Sequence, residues 1–521
     1  MKAKSFTQSA DEREAAYECL LAGLPSRSLN SSPERKRAIY GAFEARDARF
    51  DGRVYAAISS TGVYCRPVCP YHAKLEHVTF YATAAEAEEA GYRPCLVCRP
   101  ETAPGLSNAD ARKSLARRAA SMIQEECSAG DGLEKLSARL GYTDRHVRRV
   151  FQDEFGVTPM RFLTTCRLRI AKALLADTDL NMAEVAKASG FKSTRRFNDA
   201  FKSHYGLVPS EQRRLSKKRG AGVLDGESAI KLRLGYRPPM RFEELLAFFG
   251  DRALVGVEMV DESSYTRTAR IALTDGSEVS GWLRVEHDPA HNALVLSMSE
   301  SLLPATSIVV ARIRRMFDLD CDPETVFGSL AVLDAIRPGA NVYGMRLPGC
   351  FDPFETCCRA VLGQQVSVSA ANKLAARIVS SIGPRVQMGI NGLDRAWPSA
   401  SEFAAIDDIA GTLGPLGVIR ARSAVIAEIA RMVESGDLHF DALADPVEKV
   451  NALLSVKGIG PWTANYIAMR AYSYPDAFLE KDSGVAHALP EMTPDERIEA
   501  VEPCRPWRSY AVICLWNSLG E

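Results

Sequence analysis

The sequence has no apolar run of 18 residues, no net charge, and no basic start followed by an apolar core at its N-terminus. The lack of a long apolar run excludes a membrane-spanning helix. The lack of a basic start followed by an apolar core argues against a secretory signal, so we expect a cytoplasmic protein. Hydrophobic residues make up 46% of the chain and charged residues 25%, which excludes a disordered chain, a collagen and a coiled-coil rod. A chain of 521 residues should divide into several domains.

The zero net charge hides a basic segment. Residues 108–220 contain 23 lysines and arginines against 13 aspartates and glutamates, a net charge of +10, which leaves −10 for the rest of the chain. A basic segment inside a neutral chain indicates a local polyanionic partner. A solvated basic face is the alternative.

Four of the 13 cysteines form two close pairs, Cys65 with Cys69 and Cys95 with Cys98. A Cys-x3-Cys and a Cys-x2-Cys pair suit one tetrahedral ion, and four thiolates favour zinc. A metal would also supply stability that the small segment 40–105 lacks. Two disulfides and an iron–sulfur cluster are the alternatives, although disulfides are rare in a reducing compartment.

The residues around these cysteines resemble the N-terminal domain of the bacterial Ada proteins. The likeness covers about residues 37–105 and rests on Asp51–Arg53, Thr61–Cys69, Phe80–Tyr81 and Ala90–Cys98. It implies that Cys65, Cys69, Cys95 and Cys98 hold a structural zinc and that Cys65 is also a nucleophile. By this resemblance Cys65 takes a methyl group from a methyl phosphotriester in DNA, once per protein molecule.

Three arginines beside these ligands, Arg66, Arg93 and Arg99, could hold neighbouring phosphates. Four thiolates on Zn²⁺ carry a charge of −2, and methylation of one leaves −1. Because this weakens the repulsion of a DNA phosphate, we expect methylation of Cys65 to switch on DNA binding.

The basic segment contains two similar blocks, Leu133–Phe151 and Met182–Phe201. Each predicts a helix, a glycine turn, and a second helix capped by Thr or Ser, which is the helix-turn-helix plan. The pair resembles the AraC-type DNA-binding domain, which we place at residues 108–216. The candidate base readers are Arg145, His146 and Arg149 in the first block and Arg195 and Arg196 in the second. A basic helical scaffold is the alternative.

A full Ada protein continues into a methyltransferase domain whose nucleophile lies in a Pro-Cys-His-Arg motif. This sequence lacks that motif, and the nearest string is Cys357-Cys358-Arg359. We interpret it as a buried helix face.

The pattern changes after a polar, glycine-rich linker at 217–228. Residues 229–310 alternate apolar and polar residues in short runs and predict an antiparallel sheet with one or two helices. Residues 311–521 read as mostly helical, and residues 1–36 as a tail. The predicted fold class is therefore a multidomain α+β protein. Its parts are a small zinc domain, an all-α double helix-turn-helix domain, an antiparallel sheet-plus-helix domain and an all-α helix-hairpin-helix domain.

Residues 454–464 fit a helix-hairpin-helix. Val456 and Ile459 would be its apolar pegs, and Gly458 and Gly460 would let the backbone approach a phosphate. With Asp482 following, the segment resembles the helix-hairpin-helix DNA glycosylases, and the likeness is closest to the AlkA type. That closer likeness runs from about 229 to 519 and rests on Arg346–Asp352, Ala360–Ser367, Trp462–Tyr466, Phe478–Leu479 and Pro506–Ala511.

The resemblance implies that Asp482 is the catalytic carboxylate and that Trp462, Tyr466 and Trp516 line the base pocket. Electron-rich rings attract cationic alkylated bases. A helix N-cap is the alternative role of Asp482, and both roles can hold together. Gln365 stands where the family has a leucine that wedges into the base stack.

Trp462 stands where lyases of this superfamily carry a lysine, which predicts a monofunctional glycosylase. Cys504 and Cys514 are too few for the four-cysteine iron–sulfur cluster of some relatives. A monovalent cation at the hairpin is a further expectation.

The leading hypothesis joins a methyl phosphotriester sensor and transcriptional regulator to a glycosylase that excises bases of the 3-methyladenine and 7-methylguanine class. Its partners would be alkylated double-stranded DNA, promoter DNA and RNA polymerase, in the nucleoid. One alternative is a methylation-responsive transcription factor whose glycosylase half only docks on DNA. Another is a zinc-supported architectural DNA binder without chemistry.

Overall fold

The computed structural model describes residues 29–71, 73–105, 115–128, 133–218, 229–273, 276–387, 389–440 and 446–520. The chain divides into two compact units, and the boundary between them falls near residues 228–238. Residues 1–28 of the predicted tail at 1–36 and residues 219–228 of the predicted linker at 217–228 lie outside the described residues. Residues 33–36 belong to the helix Pro33–Glu44 and residues 217–218 to the helix Pro209–Lys218, so these parts of the predicted tail and linker are helical instead. Within the described parts, every helix is too short or too polar to cross a membrane.

The N-terminal part of the first unit is a four-stranded sheet with two α-helices. The strands are Tyr55–Ile58, Val63–Cys65, Val78–Tyr81 and Arg93–Pro94, and their order across the sheet is third, first, second, fourth. The helices are Pro33–Glu44 and Ala84–Glu89, with 3-10 turns at Ala48–Phe50, Leu75–His77 and Pro100–Thr102. The second and fourth strands run parallel and pair Tyr64 with Pro94. This register brings Cys65, at the end of one strand, close to Cys95, which follows the other.

Seven helices form the rest of the described first unit: Leu115–Glu126, Leu133–Arg139, Asp144–Phe155, Pro159–Asp177, Met182–Ala188, Thr194–Tyr205 and Pro209–Lys218. The predicted caps are confirmed. The side chains of Thr143 and Ser193 accept hydrogen bonds from first-turn backbone N–H groups of Asp144–Phe155 and Thr194–Tyr205. These two are the recognition helices, the second helices of the two helix-turn-helix repeats. Both helices end at a glycine with positive φ, Gly156 at 70° and Gly206 at 71°, a conformation that glycine adopts without strain.

The second unit begins with the predicted antiparallel sheet. Its strands Glu258–Val260, Ser264–Ala272, Glu278–Asp288 and Ala293–Ser299 each pair antiparallel with the next. The helix Phe242–Gly250 precedes them, and the strand Ala229–Gly235 spans the boundary between the two units. Short 3-10 segments follow at Pro289–His291 and Glu300–Ala305.

The remainder is helical, as predicted. Its α-helices are Thr306–Met316, Pro323–Ser329, Leu333–Ile336, Pro353–Leu362, Val368–Ile382, Ala400–Ala404, Ile409–Leu413, Arg420–Ser435, Pro446–Leu454, Pro461–Ala471, Ser483–Ala488, Pro494–Val501 and Arg508–Asn517. Gly414–Leu416 and Glu502–Cys504 are 3-10 turns. Cys357 and Cys358 are both 0% exposed, which confirms that they form a buried helix face.

The helix-hairpin-helix consists of Pro446–Leu454 and Pro461–Ala471. Val456 and Ile459 are buried, as expected of apolar pegs. Gly458 between them has φ of 105°, and a Cβ there would lie 2.7 Å from a methyl group of Val425. Only glycine fits this turn without a shift of its neighbours.

Candidate functional site

The four predicted metal ligands come together in the first unit. The sulfur atoms of Cys65, Cys69, Cys95 and Cys98 all lie within 4.8 Å of one another, and all four residues are buried. A tetrahedral zinc with Zn–S bonds of about 2.3 Å requires sulfurs about 3.8 Å apart, so the cluster fits this ion. These four cysteines are not joined in disulfides, which contradicts the disulfide alternative.

The backbone supports this cluster. The N–H of Arg66 donates to the Cys98 sulfur at 3.4 Å, and the N–H of Val97 donates to the Cys95 sulfur at 3.4 Å. Hydrogen bonds of this kind orient metal ligands and stabilise their anionic form.

The three arginines beside the cysteines differ in their surroundings. The Arg66 guanidinium is nearly buried, pairs with Asp51 and donates to the Thr102 hydroxyl at 2.7 Å. Arg99 forms two 2.8 Å hydrogen bonds to Asp177. Arg93 is exposed. Phosphate binding by Arg66 or Arg99 stays a prediction, and it would require each to share its guanidinium with a protein carboxylate.

The predicted DNA-reading arginines all lie on the recognition helices. Arg145, Arg149, Arg195 and Arg196 are exposed there. His146 is only half-buried and stacks on Tyr142, with ring centroids 5.3 Å apart. Their contacts with bases stay a prediction.

In the second unit, Asp482 receives three hydrogen bonds. The indole N–H of Trp462 donates to Oδ2 at 2.9 Å, and the indole N–H of Trp516 donates to Oδ1 at 2.7 Å. The backbone N–H of Val485 also donates to Oδ1, at 3.1 Å, so Asp482 caps the helix Ser483–Ala488 as well. The sequence allowed Asp482 to be a helix cap and a catalytic carboxylate at the same time. The structure shows how both fit, because the cap uses Oδ1 while Oδ2 accepts the indole N–H of Trp462.

Each of the two indoles stacks on a second ring. Trp462 lies 5.2 Å from Tyr466 with the ring planes 11° apart. Trp516 lies 6.4 Å from Phe248 with the planes 12° apart. A Cβ at Gly484 would lie 2.6 Å from the Trp516 indole, so the glycine makes room for this ring.

Guanidinium groups surround these stacks. Arg252 and Arg470 lie 3.7 and 4.7 Å from the centre of the Phe248 ring. Arg470 also donates to the Tyr466 hydroxyl at 2.8 Å. Burial would raise the pKa of Tyr466, but Arg470, Arg252 and Arg359 outweigh it and lower that pKa.

Sequence reasoning missed Phe248, Arg252 and Arg470. Phe248 and Arg252 lie at the end of a helix in the sheet region, far from Asp482 along the chain, and no local pattern marks them. Arg470 follows Tyr466 by four positions on the same helix, and this spacing is a signal that could have identified it.

One cavity of about 1110 Å³ in the second unit is lined by Asp482, Trp462, Tyr466, Trp516, Arg252 and Arg470. Gln364, in its wall, donates to the Gly458 carbonyl at 2.9 Å and to the Thr463 hydroxyl at 3.1 Å. This joins the wall to the hairpin. The next residue, Gln365, is exposed at a turn with φ of 55°. The structure thus brings together the predicted residues Asp482, Trp462, Tyr466, Trp516, Gln365, Gly458 and Gly460.

Three family models match the chain. The metal binding domain of Ada matches residues 38–101, a helix-turn-helix domain matches 136–215, and the AlkA N-terminal domain matches 231–352. These matches confirm the resemblances and, with the sheets and helices described above, the multidomain α+β fold class. The Ada match and the cysteine cluster together support zinc as the metal.

Named relatives match either nearly the whole chain or one part of it. The chain is 35% identical to the probable bifunctional transcriptional activator/DNA repair enzyme AlkA of Mycobacterium tuberculosis, over 92% of this chain and 96% of that protein. It is 35% identical to DNA-3-methyladenine glycosylase 2 of Escherichia coli, over 55% of this chain and 97% of that protein. It is also 35% identical to the bifunctional transcriptional activator/DNA repair enzyme Ada of Escherichia coli, over 25% of this chain and 36% of that protein.

Proposed function

The chain belongs to the family of the bifunctional transcriptional activator/DNA repair enzymes named AlkA, and we propose that it senses alkylated DNA with one unit and excises alkylated bases with the other. The excised bases would be of the 3-methyladenine and 7-methylguanine class. The observation that carries the enzymatic half is the carboxylate of Asp482, whose two oxygens accept hydrogen bonds from the indole N–H groups of Trp462 and Trp516 in the wall of the cavity.

Base excision begins when the damaged nucleotide leaves the DNA stack and enters the cavity. An N-alkylated purine is cationic, and the rings of Trp462, Tyr466 and Trp516 attract it by cation–π contacts of about 0.5–2 kcal/mol each. The positive charge makes the base a good leaving group, so little further chemistry is needed.

Asp482 then acts on the sugar. Hydrogen bonds from the two indoles fix the orientation of the carboxylate. As the N-glycosidic bond breaks, this negative charge stabilises the cation that develops at the sugar, and the carboxylate orients the attacking water. Because Trp462 stands where lyases carry a lysine, the product is an abasic site and the enzyme is monofunctional.

The hairpin anchors the DNA. Gly458 and Gly460 precede the helix Pro461–Ala471, and backbone N–H groups at such a helix N-terminus bind a phosphate without reading sequence. A monovalent cation at this turn stays a prediction.

The sensor reaction would take place at Cys65. Zinc bound by the four cysteines would keep the sulfur in its thiolate form at neutral pH. The Cys65 sulfur forms a bond to the methyl carbon while the carbon–oxygen bond of the phosphotriester breaks, and the bonding electrons leave with the phosphodiester oxygen. Among the three neighbouring arginines, exposed Arg93 is the one that we assign to the phosphate.

Methylated in this way, the first unit would bind promoter DNA through Arg145 and Arg149 in one recognition helix and Arg195 and Arg196 in the other. RNA polymerase would be the further partner, and the nucleoid of the cytoplasm the site of action. The proposed domains are 37–105, 108–216, 229–310 and 311–521.

The test of the enzymatic half is base release from alkylated duplex DNA by the whole chain and by Asp482→Asn. The variant should lose base release, because a neutral amide cannot stabilise the sugar cation, and should still bind DNA. Undiminished release by the variant would overturn the assignment of Asp482. Absence of release by the unaltered chain would instead favour the alternative in which this half only docks on DNA.

A further inference from the structure

One buried carboxylate, that of Glu88, joins two parts of the first unit. One part is the four-stranded sheet that carries Cys65, called here the metal-binding sheet, and the other is the helix-turn-helix region. Glu88 lies on the helix Ala84–Glu89, and its side chain is 0% exposed. It accepts hydrogen bonds at 2.8 Å from the hydroxyl of Tyr64 and at 2.8 Å from the hydroxyl of Thr165, and it bonds to Nε2 of His204. These three partners belong to three different segments of the chain.

Each partner has a defined place in the proposed function. Tyr64 directly precedes Cys65 in the strand Val63–Cys65. Thr165 lies on the long helix that connects the two helix-turn-helix repeats. His204, with a side chain 2% exposed, lies in the last turn of the second recognition helix, Thr194–Tyr205. Glu88 therefore contacts both the strand that carries the nucleophile and a helix that carries DNA-reading candidates.

The two ends of that recognition helix differ in exposure. Its first turn presents exposed Arg195 and Arg196, whereas its last turn contains the buried side chains of His204 and Tyr205. A buried polar side chain that loses its partner is strongly disfavoured, so the bond between Glu88 and His204 restrains the last turn. The exposed first turn is therefore the end of the helix that is accessible to DNA.

The first recognition helix is held differently. Its position corresponding to His204 is Glu154, which likewise precedes the last aromatic residue and the capping glycine. Glu154 bonds to Arg117 at 2.5 Å, within the helix-turn-helix region itself. The contrast between His204 and Glu154 therefore makes the second helix the one that Glu88 restrains directly.

A second buried cluster fixes the long connecting helix to the same region. Lys172 lies 2.7 Å from Glu101, and both side chains are 2% exposed. Arg99, next to the ligand Cys98, contacts both Glu101 and Asp177. Lys172 and Asp177 therefore hold the long helix in place. Because Thr165 of the same helix also bonds to Glu88, the position of Glu88 next to His204 is held as well.

We propose that Glu88 is a positioning residue that fixes the second recognition helix, Thr194–Tyr205, on the metal-binding sheet. The DNA-reading end of this helix is thereby held in one orientation relative to Cys65. The inference rests on the proposed DNA-binding function, but the contact that it describes exists without DNA and is tested without it.

The test is amide hydrogen exchange in the full-length, DNA-free protein. Glu88→Ala should speed the exchange of residues 194–205 about tenfold and leave residues 144–155 unchanged, because a helix that loses a buried anchor opens more often. The matched control is Glu89→Ala, which removes an exposed pair with Arg161 (2.6 Å) from the neighbouring position. This control should change neither helix.

Two further variants keep the test decisive if Glu88→Ala folds poorly. Glu88→Gln keeps the size of the side chain and should give a smaller change in the same helix. His204→Ala removes the partner and should reproduce the selective effect, while the double variant with Glu88→Ala should add little to either single one. Equal acceleration in both recognition helices, or none in the second, would overturn the proposal.

A DNA measurement separates this inference from the proposed function. Both proteins are first incubated with DNA that carries methyl phosphotriesters, and mass spectrometry checks the methylation of Cys65. The methylated unaltered chain then selects duplexes from a random library, and its protection of the selected duplex is compared with that given by methylated Glu88→Ala. The variant should lose protection of one half-site and keep the other. If the methylated unaltered chain selects no duplex, the proposed promoter binding fails, and the exchange experiment still decides the role of Glu88. Equal protection of both half-sites by the two proteins contradicts that role.

Discussion

The cysteine cluster and the Asp482 site hold negative charge in two different ways. In the first, four sulfurs from two short motifs surround the place of one cation. In the second, a single carboxylate is held by neutral indoles that lie 20 and 34 positions away in sequence. A metal bound in the first arrangement would offset part of the anionic charge, whereas in the second arrangement the carboxylate is held by hydrogen bonds from neutral groups.

This difference suits the two proposed reactions. A sulfur that takes a methyl group is consumed, so its site needs to react only once. A carboxylate that stabilises a passing cation is unchanged afterwards and can act on many substrates. The two sites should therefore fail independently, and each of the following experiments tests some part of that contrast.

The largest expected effect is on methyl transfer. Cys65→Ser should abolish the uptake of a methyl group from DNA that carries methyl phosphotriesters, because a serine hydroxyl is a far weaker nucleophile for carbon than a thiolate. Mass spectrometry of the whole protein after incubation measures this. Base release from alkylated duplex should be unchanged in the same variant. Methyl uptake by Cys65→Ser would show that another residue is the nucleophile.

The second prediction concerns how stability depends on pH. One buried carboxyl group in each unit should change the stability in opposite directions as the pH rises. In the first unit, burial would raise the pKa of Glu101, but Lys172 and Arg99 outweigh it and lower that pKa to about 2. A lowered folded-state pKa contributes stability above the unfolded value, near 4.5, and this contribution is lost as the pH falls toward 2. It amounts to about 3 kcal/mol.

In the second unit, burial raises the pKa of Asp318 to about 6, although Arg346 and Tyr510 oppose the shift. Its contribution to stability is therefore present below about pH 4 and lost as the pH rises through 6. The free energy of unfolding of the full chain is measured from pH 2 to 8. Glu101→Gln should reduce its pH dependence between about 2 and 4.5, and Asp318→Asn should reduce it between about 4 and 6. Unaltered profiles would show that neither carboxyl group carries the shift assigned to it.

The third prediction concerns the indole donors. Trp516→Phe removes one hydrogen bond to Asp482 and keeps a ring against Phe248. Because hydrogen bonds to charged groups contribute about 2 kcal/mol, single-turnover base release should slow roughly 30-fold. The control is Trp507→Phe, since Trp507 is a buried indole that packs against Tyr510. Equal rates in the two variants would mean that the indole N–H does not support the carboxylate.

The sequence predicted the cysteine site almost completely, because its ligands lie in two motifs whose spacing reports the geometry directly. The caps at Thr143 and Ser193 and the pegs Val456 and Ile459 were predictable for the same reason. The Asp482 site was predictable only in part. Its residues were identified by resemblance, but the two indole hydrogen bonds and the stacking of Phe248 depend on tertiary packing between distant segments, which no local pattern encodes.

The smallest expected effect is at the turn that carries Gln365. This side chain is exposed at the edge of the cavity, and its turn is fixed because the neighbouring Gln364 is bonded to the hairpin at Gly458. A leucine at 365 would place apolar surface in the vacated base stack, worth about 1 kcal/mol. Gln365→Leu should therefore speed excision from duplex DNA several-fold and leave excision from single strands unchanged, since single strands need no wedge. The ratio of the two rates measures the wedge alone, and a ratio equal to that of the unaltered chain would show that position 365 does not enter the stack.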